Sequence, residues 1–191
     1  MKRFSGKKIS TAVFISGRGS NLQNLINFSQ KKRSPIKIEL VYSSKKNAGG
    51  LKHAKIKKIN TFYQIKKKNS ILENELIKRL NKKKIKLICL AGFMKILSKS
   101  FIKRFKGKII NIHPSLLPKY KGLNTHRRVL ENKEIYTGCT VHHVNSNLDS
   151  GKIILQKKIK VLKNDNVKSL SERVLLEEHK IYPRAILKMY S

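Results

Sequence analysis

An amide, an imidazole and a carboxylate are the residues in this chain best suited to chemistry. Asn111 and His113 flank Ile112 at the end of a short apolar run, Ile109–Ile112, and Pro114 stops that run. On a strand, side chains two residues apart share a face, so the two project together. An amide beside an imidazole makes a pair of hydrogen-bond donors for an oxyanion developing on a carbonyl under attack. The competing reading, in which both satisfy loop backbone groups, stays open. Asp149 lies in the polar loop Asn145-Ser146-Asn147-Leu148-Asp149-Ser150-Gly151 and is one of only ten acids. A turn aspartate is ordinarily solvated. Placed beside His113, its charge would raise the imidazole pKa and give a proton a path.

A second candidate is Ser16-Gly17-Arg18-Gly19-Ser20-Asn21, between an apolar run and a helical pattern. Glycines allow a tight turn, and the N–H groups of a helix start attract an anion, so the loop can cradle a phosphate. A plain turn with a Ser or Asn cap is the alternative. Leu22 stands where a dinucleotide fingerprint needs its third glycine, and no Gly-Lys-Ser/Thr follows, so a single phosphate fits better than a nucleotide. The remaining candidates are weaker. His142 and His143 are adjacent, so on a strand they face opposite ways and cannot chelate one metal together. His126 falls in a helical stretch and His53 reads as filler. No H-x-x-x-H spacing occurs, and no metal is expected. Cys139 is not a convincing nucleophile, since its nearest histidine on the strand, His142, is three residues on and faces the other way.

The elements that must hold these residues alternate. Ile9–Ile15, Ile36–Tyr42, Ile85–Ala91, Ile109–Ile112, Thr140–Val144 and Ile153–Val161 read as strands. Helical spacing follows the first loop through Leu22, Leu25 and Ile26, runs to Ile56 after the turn Asn47–Gly50, covers Ile71–Leu80, and fills Val167–Met189 with a break at Pro183. The nearly continuous apolar run Ile85–Ala91 suits a buried parallel strand. This order predicts an α/β fold of Rossmann type: an open, mostly parallel twisted sheet with helices on both faces and late strands partly antiparallel. Ligands of such sheets bind beyond the carboxyl ends of the strands, where both candidate loops fall.

The chain has 191 residues, and that length fits a single domain, 1–191. Its formal charge is +35, from 45 Lys and Arg against 10 Asp and Glu. Such a charge can signal a nucleic-acid or membrane-surface binder. Here 36 lysines, 23 isoleucines and 15 asparagines point instead to a lineage rich in A and T codons. The lysines are scattered rather than gathered on one reading element, so no specific nucleic-acid partner is expected. No apolar stretch reaches the roughly 18 residues of a membrane helix. The first ten residues lack the apolar core of a secretory signal. Two cysteines without CxxC spacing exclude a disulfide scaffold and a zinc ribbon, and a reducing cytoplasm is the expected compartment.

Beyond chemistry and pattern, a set of motifs recurs in order. They are Ile15–Leu22, Ala91-Gly92-Phe93-Met94-Lys95-Ile96-Leu97, Asn111–Gly122, Gly138–His142, Leu148-Asp149-Ser150-Gly151 and Glu178–Pro183. Together they resemble the phosphoribosylglycinamide formyltransferases, folate-dependent enzymes of purine synthesis, from about Ile9 to Pro183. The resemblance implies formyl transfer from 10-formyltetrahydrofolate to the amine of glycinamide ribonucleotide. It implies a catalytic trio of Asn111, His113 and Asp149. Gly19, Ser20 and Asn21 match the ribonucleotide's phosphate site and Glu178 its ribose acid, while Met94 and Pro114 match contacts near the substrate amine. Met94, Lys95, Ile96 and Leu97, with Asn111 and the loop Asn145, Ser146, Asn147, Leu148 and Asp149, match the folate pocket. Three departures stand out. A family arginine near the folate tail is missing around Asn69, with Lys66–Lys68 as a substitute. A family histidine is Asn124, and the chain ends early, at Ser191. Small-molecule substrates, no membrane, and a monomer or weak homodimer are expected. A formyltetrahydrofolate hydrolase, a methionyl-tRNA formyltransferase-like enzyme (whose second domain would need room after Pro183) and a non-enzymatic nucleic-acid binder are the alternatives.

Overall fold

The computed structural model describes residues 6–64 and 69–190. The chain forms two compact units that meet in sequence at Ile110/Asn111. The first holds β1 (Ile9–Ile15), α1 (Ser20–Ser29), β2 (Ile36–Ser43), α2 (Leu51–Ile56), β3 (Asn60–Tyr63), α3 (Asn69–Lys82), β4 (Leu87–Leu90), α4 (Lys99–Arg104) and the start of β5 (Lys108–His113). The second holds the end of β5, then α5 (Thr125–Glu131), β6 (Tyr136–His143), β7 (Ile153–Lys160) and α6 (Val167–Tyr190). The first unit's strands run in the order β3-β2-β1-β4-β5, and the second's in the order β5-β6-β7. The first order reverses direction after β1, as in doubly wound sheets, so the loops after β1 and β4 leave from a switch point.

Apolar β-branched residues build the first unit's centre. Ala12, Val13, Phe14 and Ile15 of β1 are wholly buried, and β1 pairs in parallel with β2 and β4. Phe14 packs edge-on against Tyr42, 5.0 Å between ring centroids, and against Phe93 at 5.5 Å. Edge-to-face rings add a directional term to burial and fix the strand ends that lead into the loops. In the second unit β6 and β7 are antiparallel, and α6 covers them with Leu170, Val174, Ile181, Tyr182, Ala185 and Ile186. That stripe follows helical spacing.

Several expected boundaries change. α6 runs unbroken through Pro183, where a break was expected. Proline removes one helical hydrogen bond, but buried residues on both sides of it hold the segment in register. β4 is limited to Leu87–Leu90, and β6 begins at Tyr136, four residues before the expected Thr140. β3 and α4 were not expected. β3 has four residues with only Phe62 buried, and α4 has six, started by Ser98, whose hydroxyl accepts the Phe101 N–H at 3.0 Å. Both are too short to show a period.

Candidate active site

β5 delivers Asn111 and His113 to one side because Ile112 between them is buried on the other. β6 delivers His142, buried near the end of the strand. The loop before β7 turns on its own polar groups. Asn145 Oδ1 accepts from the Asn147 N–H at 3.0 Å and from Ser150 Oγ at 3.1 Å. Asp149 there adopts φ 44°, a left-handed conformation that aspartate tolerates better than most residues. Gly151 allows the loop to close, since a Cβ there would lie 1.7 Å from the His143 carbonyl oxygen.

These elements bring four polar side chains together. Asp149 Oδ2 lies 3.3 Å from His113 Nδ1 and accepts the Gly122 N–H at 2.9 Å. Asp149 Oδ1 faces Asn111 Nδ2 at 3.4 Å and His142 Nε2 at 3.6 Å. Asn111 Nδ2 is also 3.2 Å from His142 Nε2. His113 Nε2 donates to the Tyr120 carbonyl oxygen at 2.8 Å. The partners fix the proton positions. His142 Nδ1 donates to the His143 carbonyl at 2.8 Å, so in the neutral ring Nε2 is the acceptor for Asn111. Both amide hydrogens of Asn111 are thereby engaged, one by His142 and one by Asp149.

Burial lowers the His113 pKa below the ordinary 6.5, and the nearby His142 and Arg128 lower it further; the Tyr120 carbonyl and the Asp149 charge work upward but do not win. Asp149 thus acts on His113 in the expected direction, yet the ring rests neutral rather than protonated. Asp149 itself is buried, which alone would raise it. The nearby His142 ring, the Gly122 N–H bond and the nearby His113 ring outweigh that and hold the carboxyl below its usual range. The cluster is an ionised carboxylate that favours a proton on a ring whose burial disfavours it.

The other expected residues are placed as follows. Gly19 is the N-cap of α1 at φ 81°, with no side-chain capping bond, which removes the simple Ser or Asn cap as the account of this loop. Ser20 is half-buried and Asn21 buried at the start of α1. The Met94 N–H is held by Ser16 Oγ at 2.8 Å, while the Met94 and Ile96 side chains stand 65% and 81% exposed. Lys95 is exposed and Leu97 half-buried. Leu148 is exposed in the Asp149 loop, and Pro114 is half-buried after His113. Glu178 is buried on α6 near Cys139, whose thiol is pushed well up, by burial first and then by Glu178. Asn124 precedes α5 at φ 56°, a left-handed position that suits asparagine. Lys66–Lys68 lie outside the described residues. Sequence reasoning weighed His142 as a metal ligand and as a partner for Cys139, and placed it on the face of Thr140, but gave it no place beside Asn111.

Residues 9–186 match the formyl transferase family. The chain belongs to that family. It is 43% identical to phosphoribosylglycinamide formyltransferase of Haemophilus influenzae over 183 residues, 94% of this chain and 85% of that one. It is 44% identical over 186 residues to the human trifunctional purine biosynthetic protein adenosine-3, covering 96% of this chain but spanning only 18% of that protein's length. The crystal structure of phosphoribosylglycinamide formyltransferase from Brucella melitensis superposes with a TM-score of 0.91 at 40% identity, covering 96% of each chain. As in those relatives' fold, this formyl transferase family member has a mostly parallel open sheet ending in antiparallel strands. Among its described residues no helix is long and apolar enough to cross a membrane, and no group of three or more His, Cys, Asp or Glu is placed to hold a metal ion.

Proposed function

We propose that this protein transfers the formyl group of 10-formyltetrahydrofolate to the amine of glycinamide ribonucleotide, a step of purine synthesis, as a single cytoplasmic formyltransferase domain. The observation that carries the reading is the Asn111–His113–Asp149 cluster, joined by contacts of 3.3 and 3.4 Å, in a chain 43% identical to a phosphoribosylglycinamide formyltransferase. Gly19, Ser20 and Asn21 take the ribonucleotide phosphate, and Glu178 its ribose. Pro114 and Met94 contact the substrate near its amine. Met94, Lys95, Ile96 and Leu97, with Asn145–Asp149, receive the pteridine; the exposed Met94 and Ile96 offer apolar surface for a flat ring.

The residues divide the reaction between them. His113 exchanges the Tyr120 carbonyl for the formyl oxygen and donates Nε2–H to it. Asn111 releases its longer bond, to Asp149, and turns that N–H to the same oxygen. The amine nitrogen bonds to the formyl carbon, and a tetrahedral adduct carries the negative charge those donors stabilise. Asp149 accepts the proton lost by the amine, directly or through water, and His113 Nδ1 shares it while the charge is present. The carbon–nitrogen bond to the folate then breaks, and the proton returns to the departing nitrogen. The balance of this sequence calls for neither a metal nor a covalent enzyme intermediate. The test is a formyl-transfer assay with purified protein, comparing glycinamide ribonucleotide with water as acceptor. Transfer to the ribonucleotide at 1 s⁻¹ or faster, on the order of an ordinary kcat, supports the reading; release of formate alone identifies a hydrolase.

A further inference from the structure

We propose that the connection between β2 and α2, above all Ser44 and Gly50, positions the phosphate loop, and that Gly50 is required there for its missing side chain. This rests on the reading of Gly19-Ser20-Asn21 as the ribonucleotide's phosphate site. The connection from Ser44 to Gly50 had no role in the expected chemistry, yet it is fastened to the end of β1 and the first loop at several points. The Gly50 N–H donates to the Gly17 carbonyl at 3.0 Å, and the Ser44 N–H to the Ile15 carbonyl at 3.0 Å. Ser44 and Ser16 hydroxyls lie 2.6 Å apart. Ser16 Oγ also accepts the Met94 N–H, so the Ser44 hydroxyl shares in fixing the Ser16 side chain.

Gly50 does not need glycine's conformational freedom. Its φ of −61° and ψ of −23° are ordinary helical values that alanine adopts freely. What it needs is space. A Cβ on Gly50 would lie 2.9 Å from Gly19 Cα, 2.7 Å from Ile15 Cδ1 and 3.3 Å from the Gly17 carbonyl oxygen. A Cβ on Gly19 would lie 2.5 Å from Gly50 Cα. The two glycines are packed backbone to backbone, and Gly50 sets how far the loop can retreat from its ligand. An alanine there pushes Gly19 and the first N–H groups of α1 forward by several tenths of an ångström. Donors aimed at a phosphate are sensitive to displacements of that size.

Gly49 supplies the control. A Cβ there meets only Arg18, at 3.7 Å and 3.9 Å, which is ordinary contact. The experiment compares Gly50→Ala, Gly49→Ala and Ser44→Ala for kcat, for KM of each substrate and for inhibition by inorganic phosphate. Gly50→Ala raises the ribonucleotide KM and the phosphate inhibition constant roughly ten- to hundredfold. Its kcat and formyl-folate KM stay within about threefold of wild type, and Gly49→Ala is silent. A role confined to stability would instead reduce the active fraction and leave both KM values unchanged. If Gly50→Ala does not fold, Ser44→Ala carries the test, with a rise in ribonucleotide KM of about fivefold from one lost hydrogen bond. A folded Gly50→Ala, or failing that Ser44→Ala, with wild-type ribonucleotide KM overturns the proposal. The double variant Ser20→Ala/Asn21→Ala separates the two levels. If it too binds ribonucleotide normally, the phosphate-site reading falls and takes the brace with it. If it binds weakly while Gly50→Ala and Ser44→Ala bind normally, the brace alone falls.

Discussion

Replacing Asp149 by asparagine removes the charge and the proton acceptor, and turns an NH2 toward Asn111 Nδ2 where a carboxylate oxygen stood, while backbone and volume are kept. Asparagine accepts the left-handed backbone at φ 44°, keeps the side-chain volume, and can still accept the Gly122 N–H through its carbonyl oxygen. The loss that the geometry sizes is the field on His113 Nδ1 at 3.3 Å. With an effective dielectric constant of about 20, unit charges at that distance attract by about 5 kcal/mol. The cost of burying the carboxylate offsets roughly half, leaving about 2–3 kcal/mol whenever the ring is charged. That charge exists only while the amine proton is in transit, so the loss falls on the transition state and lowers kcat by roughly 10²-fold with little change in KM. The resting ring responds too. Asp149 is an upward influence on a His113 already lowered by burial, so Asp149→Asn moves its titration to still lower pH. Single-turnover formyl transfer measures the first effect and NMR titration of the imidazole the second. A turnover within about threefold of wild type, with the His113 titration unmoved, would refute the pairing on which the mechanism depends.

Other outcomes follow from the same geometry. Ser20→Ala/Asn21→Ala raises the ribonucleotide KM by roughly tenfold or more through lost donors to the phosphate, and steady-state kinetics at saturating formyl donor read it directly. His142→Ala frees the Asn111 amide from its shorter bond; kcat falls roughly tenfold with both KM values held, and unchanged kcat would deny His142 a positioning role. Stability depends on pH with a defined sign. Burial lowers the pKa of His113, His126 and His179 below 6.5, so the unfolded chain binds more protons below that value. Their contribution is complete above pH 6.5 and is lost as pH falls through the lower folded values. Asp149, also lowered, acts the same way below its ordinary 3.8. Urea unfolding at pH 7.5, 6.5 and 5.5 should give a falling free energy, and a constant or rising one would contradict these burials.

Local pattern carried the parts of this fold that have enough residues to display a period. β1 and α2 begin and end where apolar spacing and glycines place them, because propensity, pattern and burial agree there. The pairing of Asn111 with His113 was legible for the same reason, since a strand's alternation is a two-residue rule. Asp149 could be named as a candidate but its distance could not, because the loop that carries it is aimed by hydrogen bonds among Asn145, Asn147 and Ser150. The neutral resting state of His113 was illegible, because it is the outcome of burial against charge and depends on the whole packed environment. Pro183 misled in the opposite way: its local penalty is real, but the buried face of α6 overrides it. Gly50 read as punctuation in a turn, and only its approach to Gly19 shows why no side chain fits.

The most direct test of the catalytic account is the effect of His113→Ala on binding and turnover measured separately. The account predicts near-wild-type dissociation constants for glycinamide ribonucleotide and the formyl donor, with single-turnover formyl transfer slowed about 10²–10³-fold or more. Transfer at close to the wild-type rate would contradict it, because no group at this ring would then be holding the developing oxyanion.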